Sequence, residues 1–174
     1  MKLPSVSAAV LATTLTCSLD AKEVEITLAN NLDGYLDAYC LDVVGNGRNI
    51  DVTKGLQVHT CYRYQGSMGQ DQTFDDTFFS QNKLYLSELD VCIAATEIDN
   101  GEALILATCD DTELQSFSFN PDGTIRPLLN EQLCFTAGLE TKRGRGGTSD
   151  HQIKPLTLHK CSEAKAKFQI WKSR

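Results

Sequence analysis

The sequence lacks the groups from which most metal sites and enzymes are built. Its three histidines (His59, His151 and His159) show no metal-ligand spacing and no Cys-x-x-Cys occurs, so zinc has no ligand set to draw on. There is no Gly-x-Ser-x-Gly elbow, no phosphate-binding glycine loop and no His-Glu-x-x-His, which removes three common enzyme signatures. No segment carries the 3.6-residue apolar period of a long amphipathic helix, so helix is expected only in short turns. Past the N-terminal stretch no long apolar run follows, and no transmembrane anchor is expected. Net positive charge is missing too. A formal charge of -7 argues against nucleic acid and anionic membrane surfaces as main partners.

What is present begins with a leader-like segment. Residues 1–21, MKLPSVSAAVLATTLTCSLDA, carry one basic residue, Lys2, then small and apolar side chains, with no acid before Asp20. This reads as a secretory signal peptide, cut after Ser18 or Ala21. A buried N-terminal helix or strand is the alternative, and Thr-Leu-Thr before Cys17 matches a lipoprotein signal poorly. Cleavage would leave one domain over 22–174 and an even set of cysteines: Cys40, Cys61, Cys92, Cys109, Cys134 and Cys161. In a secreted chain such a set implies disulfides, although six cysteines allow fifteen pairings.

Taking the cysteines in consecutive pairs exposes an internal repeat. YCLDVVG, GLQVHTC and QDQTF are followed by DVCIAAT, EALILATC and LQSFSF, then by QLCFTAG, KPLTLHKC and FQIW. Each unit, roughly 30–79, 80–121 and 122–174, closes on Gln-x-aromatic: Gln72/Phe74, Gln115/Phe117 and Gln169/Trp171. The local pattern is β, with alternating β-branched runs between Asn-Gly and Asp-Gly turns. Three such units imply an all-β barrel with pseudo-threefold symmetry, since one alone could not bury its apolar face. The closing aromatics are expected in the core. Disulfides within repeats then pair Cys40–Cys61, Cys92–Cys109 and Cys134–Cys161, each worth about 3 kcal/mol by loop entropy.

The first repeat carries polar equipment that the others lack. If Cys40 lies opposite Cys61 on antiparallel strands, Asp42 falls opposite His59, with Gln57 on the same face and Cβ atoms about 5 Å apart. Leu41, Val43, Leu56 and Val58 then face the core. A carboxylate, a carboxamide and a flat ring suit a sugar's hydroxyls and its C–H face. At the Asp42 position the later repeats have Ala94 and Thr136; at Gln57, Ile105 and Thr157; at His59, Ala107 and His159. Asp42 and Gln57 are expected at the surface.

These paired cysteines with a thrice-repeated Gln-x-aromatic resemble the ricin B-type lectin family over roughly residues 32–171. The resemblance implies a β-trefoil that binds carbohydrate, commonly galactose or N-acetylgalactosamine, without cofactor, metal or enzymatic activity. Carried onto matching positions, it implies a binding set of Asp42, Gln57, His59, Asp71 and Gln72. His59 stands where Trp or Tyr is usual, which implies weaker stacking and sensitivity to pH near the imidazole pKa. Tyr62 or Tyr64 is a substitute ring. The implied partners are glycans or glycoproteins, with self-association as a route to avidity. The basic insertion ETKRGRGGTSD reads as a solvated loop, with contact to sulfated or phosphorylated glycans as the second option. It would also serve a rival class, a β-trefoil protease inhibitor or protein-binding module that has lost its sugar site.

Overall fold

A computed structural model of the chain describes residues 21–45 and 49–174. The leader expected over 1–21 lies outside them apart from Ala21. Three hairpins organise the rest. In the first repeat, β1 (Glu23–Val24) and β2 (Ile26–Leu28) precede the hairpin of β3 (Tyr39–Val43) and β4 (Leu56–Thr60), and β5 (Phe74–Asp75) closes the unit. The second comprises β6 (Tyr85–Leu86), the hairpin β7 (Val91–Ala95) and β8 (Leu104–Ala107), and β9 (Phe117–Phe119). The third runs through β10 (Ile125–Pro127), β11 (Leu133–Ala137), β12 (Lys142–Arg143), β13 (Gln152–Lys154), β14 (Leu156–Lys160) and β15 (Trp171–Ser173). Among the described residues, helix is limited to α1 (Ala166–Gln169) and short 3-10 turns.

Strands β4, β8 and β14 approach one another in pairs, as a pseudo-threefold barrel requires. Alternation along β3 and β4 sends Leu41, Val43, Leu56 and Val58 inward, all buried. The aromatics that close the repeats, Phe74, Phe117 and Trp171, are buried, as are Phe135 and Tyr39. Phe117 packs edge-on to Phe135 at 5.0 Å, and the Trp171 indole N–H donates to the Phe135 carbonyl at 3.1 Å. Each such side chain contributes roughly 1.5–3 kcal/mol by leaving water. The fold is a β-trefoil of three pseudo-symmetric repeats.

All three intra-repeat disulfides are present: Cys40–Cys61, Cys92–Cys109 and Cys134–Cys161. Their register differs from the expected one. Cys40 pairs with His59, Cys92 with Ala107 and Cys134 with His159, so in every repeat the bridge runs diagonally to a cysteine two residues farther on. The second cysteine lies just past the straight strand, where the chain bends back; the Cys61 N–H donates to the Ala38 carbonyl at 2.9 Å. Cα atoms of each pair then lie 5.1, 4.9 and 5.1 Å apart. The two-residue offset keeps every side chain on its expected face but changes the cross-strand partners.

One sheet breaks the threefold pattern. It runs β12-β13-β4-β3-β2-β15, with Ile153 opposite His59 and Lys154 opposite Val58. The segment that follows the third-repeat insertion, Gln152–Lys154, is thereby a strand added to the first-repeat hairpin, while the insertion itself contributes β12 and a largely exposed glycine-rich turn. Thr60 fastens the seam. Its hydroxyl accepts from the Gln152 N–H at 2.9 Å, and Gln152 in turn donates its amide to the Asp33 carbonyl at 2.9 Å.

Candidate functional site

The offset register puts Asp42 opposite Gln57, not His59. Asp42 is also fully buried, contrary to the surface position expected for it, because residues 62–72 fold over the outer face of β3. Its two oxygens are taken: Gln57 Nε2 donates to Oδ1 at 2.7 Å and Gln72 Nε2 to Oδ2 at 2.8 Å. Burial raises the Asp42 carboxyl well above the ordinary range, and the neighbouring Asp71 raises it further, against the pull of the two amides. Asp42 therefore stands behind the surface. Gln57, half-buried, stands in front of it.

Gln72 is also buried, and its bonding identifies a scaffold role. Its Oε1 accepts from the Tyr62 N–H at 3.0 Å while Nε2 reaches the Thr60 carbonyl at 3.2 Å. Gln115 does the same with the Asp110 N–H (3.0 Å) and the Thr108 carbonyl (2.9 Å). Gln169 repeats it with the Ser162 N–H and the Lys160 carbonyl, both at 3.0 Å. The glutamine of each Gln-x-aromatic thus clamps the chain on either side of the second cysteine. The third repeat extends the likeness, since Gln169 Nε2 also donates to Thr136 Oγ1 at 2.9 Å, at the position Asp42 holds in the first.

In front of this layer lies a cleft of about 970 Å³. Gln57, His59, Tyr62 and Asp71 line it from the first repeat, with Arg145, His151 and Ile153 facing them from the third. Asp71 is 2% exposed, and its Oδ2 is a buried oxygen with no hydrogen-bond partner. Such a group costs stability unless something donates to it. Gly69 makes room for it: a Cβ there would lie 2.3 Å from Asp71 Oδ1 and 2.5 Å from Tyr62 Cδ2. Burial raises the Asp71 carboxyl to about 6.

The rings of His59, Tyr62 and His151 form one cluster, with centroids 5.1–5.4 Å apart. His59 Nδ1 lies 2.8 Å from the Thr60 carbonyl, which can only accept, so Nδ1 carries the proton and Nε2 is left as an acceptor. The 4.0 Å from Nδ1 to Asp42 Oδ2 is too long for a hydrogen bond. Burial lowers the His59 pKa to about 4, so the imidazole is neutral at physiological pH and does not titrate near its ordinary value. The Asp71 pKa is raised toward neutral pH, while that of His151 in the same cleft is lowered by burial.

Among the five residues expected to bind, Gln57, His59 and Asp71 line the cleft, while Asp42 and Gln72 lie beneath it. Of the two candidate rings, Tyr62 lines the cleft; Tyr64 holds His151 from outside through a 2.7 Å contact between its hydroxyl and Nε2. His151 and Ile153 were not expected; Arg145 belongs to the basic insertion whose second reading was contact with sulfated or phosphorylated glycans. No apolar alternation marks residues 151–154, where Ile153 is the one apolar side chain. Among the described residues no group of three metal-ligating side chains occurs, and no helix is long and apolar enough to cross a membrane.

A pseudo-threefold barrel with one polar cleft over a stapled hairpin defines a β-trefoil of the lectin type. A family model for the ricin-type β-trefoil lectin domain matches residues 82–174, more than half of the chain, and the chain belongs to that family. The match covers the second and third repeats; the hairpin under the cleft lies outside it. No curated protein matches the chain. Among solved structures, it is similar to the agglutinin from Abrus precatorius (TM-score 0.56, 15% identity, covering 88% of this chain and 46% of that one). A non-toxic homologue of type II RIPs from Momordica charantia, in complex with α-methyl-D-galactoside, aligns at TM-score 0.57 and 14% identity over 88% and 48%. The β-trefoil lectin of the Vibrio vulnificus hemolysin/cytolysin, with N-acetyl-D-lactosamine bound, aligns at 0.52 and 17% over 88% and 94%. The chain spans about half the length of the two plant proteins, and at these identities the likeness is one of fold.

Proposed function

We propose that this chain is a secreted, non-enzymatic lectin that binds carbohydrate in the cleft between the first-repeat hairpin and the third-repeat strand. The observation that carries this reading is the cleft itself, in which Gln57, His59, Tyr62 and Asp71 of the first repeat face His151 and Arg145 of the third. A sugar hydroxyl donates to the Asp71 carboxylate where it lines the cleft. Gln57, its amide nitrogen held by Asp42, turns its carbonyl oxygen to a second hydroxyl, and His59 Nε2 takes a third. The rings of Tyr62 and His59 cover the C–H face of a pyranose. Asp42 and Gln72 act as positioning residues, fixing Gln57 and the chain at Tyr62.

Galactose or N-acetylgalactosamine is the ligand we favour, since the family resemblance implies it and two proteins of the same fold carry a galactoside or N-acetyl-D-lactosamine. Three disulfides suit an oxidising, extracellular compartment. One cleft gives weak monovalent binding, so avidity comes from self-association or a multivalent glycan surface. Titration of the mature protein against a monosaccharide panel tests the reading. Galactosides should bind, and Asp71→Asn and Gln57→Ala should each lower affinity about tenfold or more. Absence of binding to every sugar in the panel overturns it.

A further inference from the structure

The third-repeat wall supplies a charge that a neutral sugar leaves unused. Among the described residues, Arg126, Arg143 and Arg174 pair with carboxylates, at 3.1 Å to Asp122, 3.2 Å to Asp150 and 2.9 Å to Glu25. Arg63 and Arg145 have no such partner within 4 Å, and of the two Arg145 lines the cleft. Its field reaches the Tyr62 phenol and the His151 imidazole. In a protein of formal charge -7, an unpaired guanidinium turned to a cleft is conspicuous.

The turn that carries it is ordered. Gly147 and Ser149 both donate their N–H groups to the Gly144 carbonyl at 3.1 Å, and Gly144 donates to the His151 carbonyl at 2.9 Å. Arg145 itself sits at φ 50, an uncommon conformation for a residue with a side chain, of the kind found where a group is held in place for a task. The opposite wall holds Asp71, the acid of the cleft, so an anion is repelled there and attracted here. A guanidinium matches the geometry of sulfate and carboxylate oxygens. At about 970 Å³ the cleft stands at the upper end of the roughly 300–1,000 Å³ typical of small-molecule sites, room enough for a sugar ring and a charged substituent beyond it.

We propose that Arg145 forms an anion subsite, so that the preferred ligand is a glycan bearing a sulfate or carboxylate group rather than its neutral parent. This rests on the carbohydrate reading above. The test uses the mature protein and N-acetyllactosamine in three matched forms: neutral, sulfated and sialylated. An anionic form should bind about tenfold tighter than the neutral one at low salt, and the preference should shrink as salt is raised. Whichever of the two anions gains names the source of the charge. Arg145→Gln should bring the anionic-to-neutral ratio close to one, and Arg145→Lys should keep part of it. Lys142→Gln, which removes a charge from the same insertion outside the cleft, should keep all of it. A wild-type ratio of one, or a ratio that survives Arg145→Gln, overturns the anion subsite alone. Failure to bind any of the three forms overturns the carbohydrate reading with it.

Discussion

The first and third repeats carry the same hairpin register, the same diagonal disulfide and the same glutamine clamp, yet only the first has an acid beneath its outer face. Thr136 receives the Gln169 amide and its own hydroxyl donates to the Cys134 carbonyl; Asp42 receives two amides and so fixes Gln57 as well. The second repeat has Ala94 at that position, and Gln115 is left with its two backbone partners. One scaffold thus supports three outer faces of different polarity. The scaffold of each repeat recurs, and the polar equipment of the first hairpin does not.

Breaking the scaffold away from the cleft should have the largest effect on stability. Replacing Cys92 and Cys109 by Ala opens a 17-residue separation and should cost about 3 kcal/mol in denaturant melts, with affinity kept under native conditions. Loss of affinity on that change would mean the second repeat takes part in binding. Removing a clamp comes next. Gln72→Ala and Gln115→Ala should each cost about 1–3 kcal/mol by unpairing the groups they hold, but only Gln72→Ala should also weaken sugar binding, since it releases Asp42.

A third comparison uses pH. The Asp71 carboxyl, raised to about 6 from 3.8, favours the protonated form in the fold. Its contribution to stability is therefore full below about pH 4 and lost as pH rises through about 6; Asp42 shifts in the same direction. A hydroxyl that donates to the Asp71 carboxylate works in the opposite sense, so sugar affinity should rise several-fold between about pH 5 and 7. Asp71→Asn should flatten that curve in titrations at stepped pH. The smallest effect falls on the two register-equivalent histidines. His59→Ala should lower affinity severalfold, whereas His159→Ala, which loses one 3.3 Å contact with Asn100, should leave it unchanged and alter stability by less than about 1 kcal/mol.

The barrel, its disulfides and its inward aromatics were legible because each rests on local pattern repeated three times. Leu41, Val43, Leu56 and Val58 face the core whatever the pairing offset, since a two-residue shift preserves the pleat. The offset itself was hidden in the bend after Thr60. With it were hidden the partner of Asp42 and its depth. Gln72 was assigned to the binding set although it recurs as Gln115 and Gln169, and the bonds shared by all three make it a clamp. Arg145, His151 and Ile153 were beyond a repeat-by-repeat comparison, because they reach the cleft through a pairing between β13 and β4 that no single repeat contains.

That pairing also bears on how the protein is made. Gln152 and Thr60, joined across the seam, are separated by 92 positions in the chain. Synthesis proceeds from the N-terminus, so the first-repeat hairpin emerges early and waits for a strand that arrives near the end. The cleft is then among the last features to be completed, and a chain halted after two repeats has no third-repeat wall with which to complete it. Under the proposed reading, sugar binding certifies that the third repeat was made and folded.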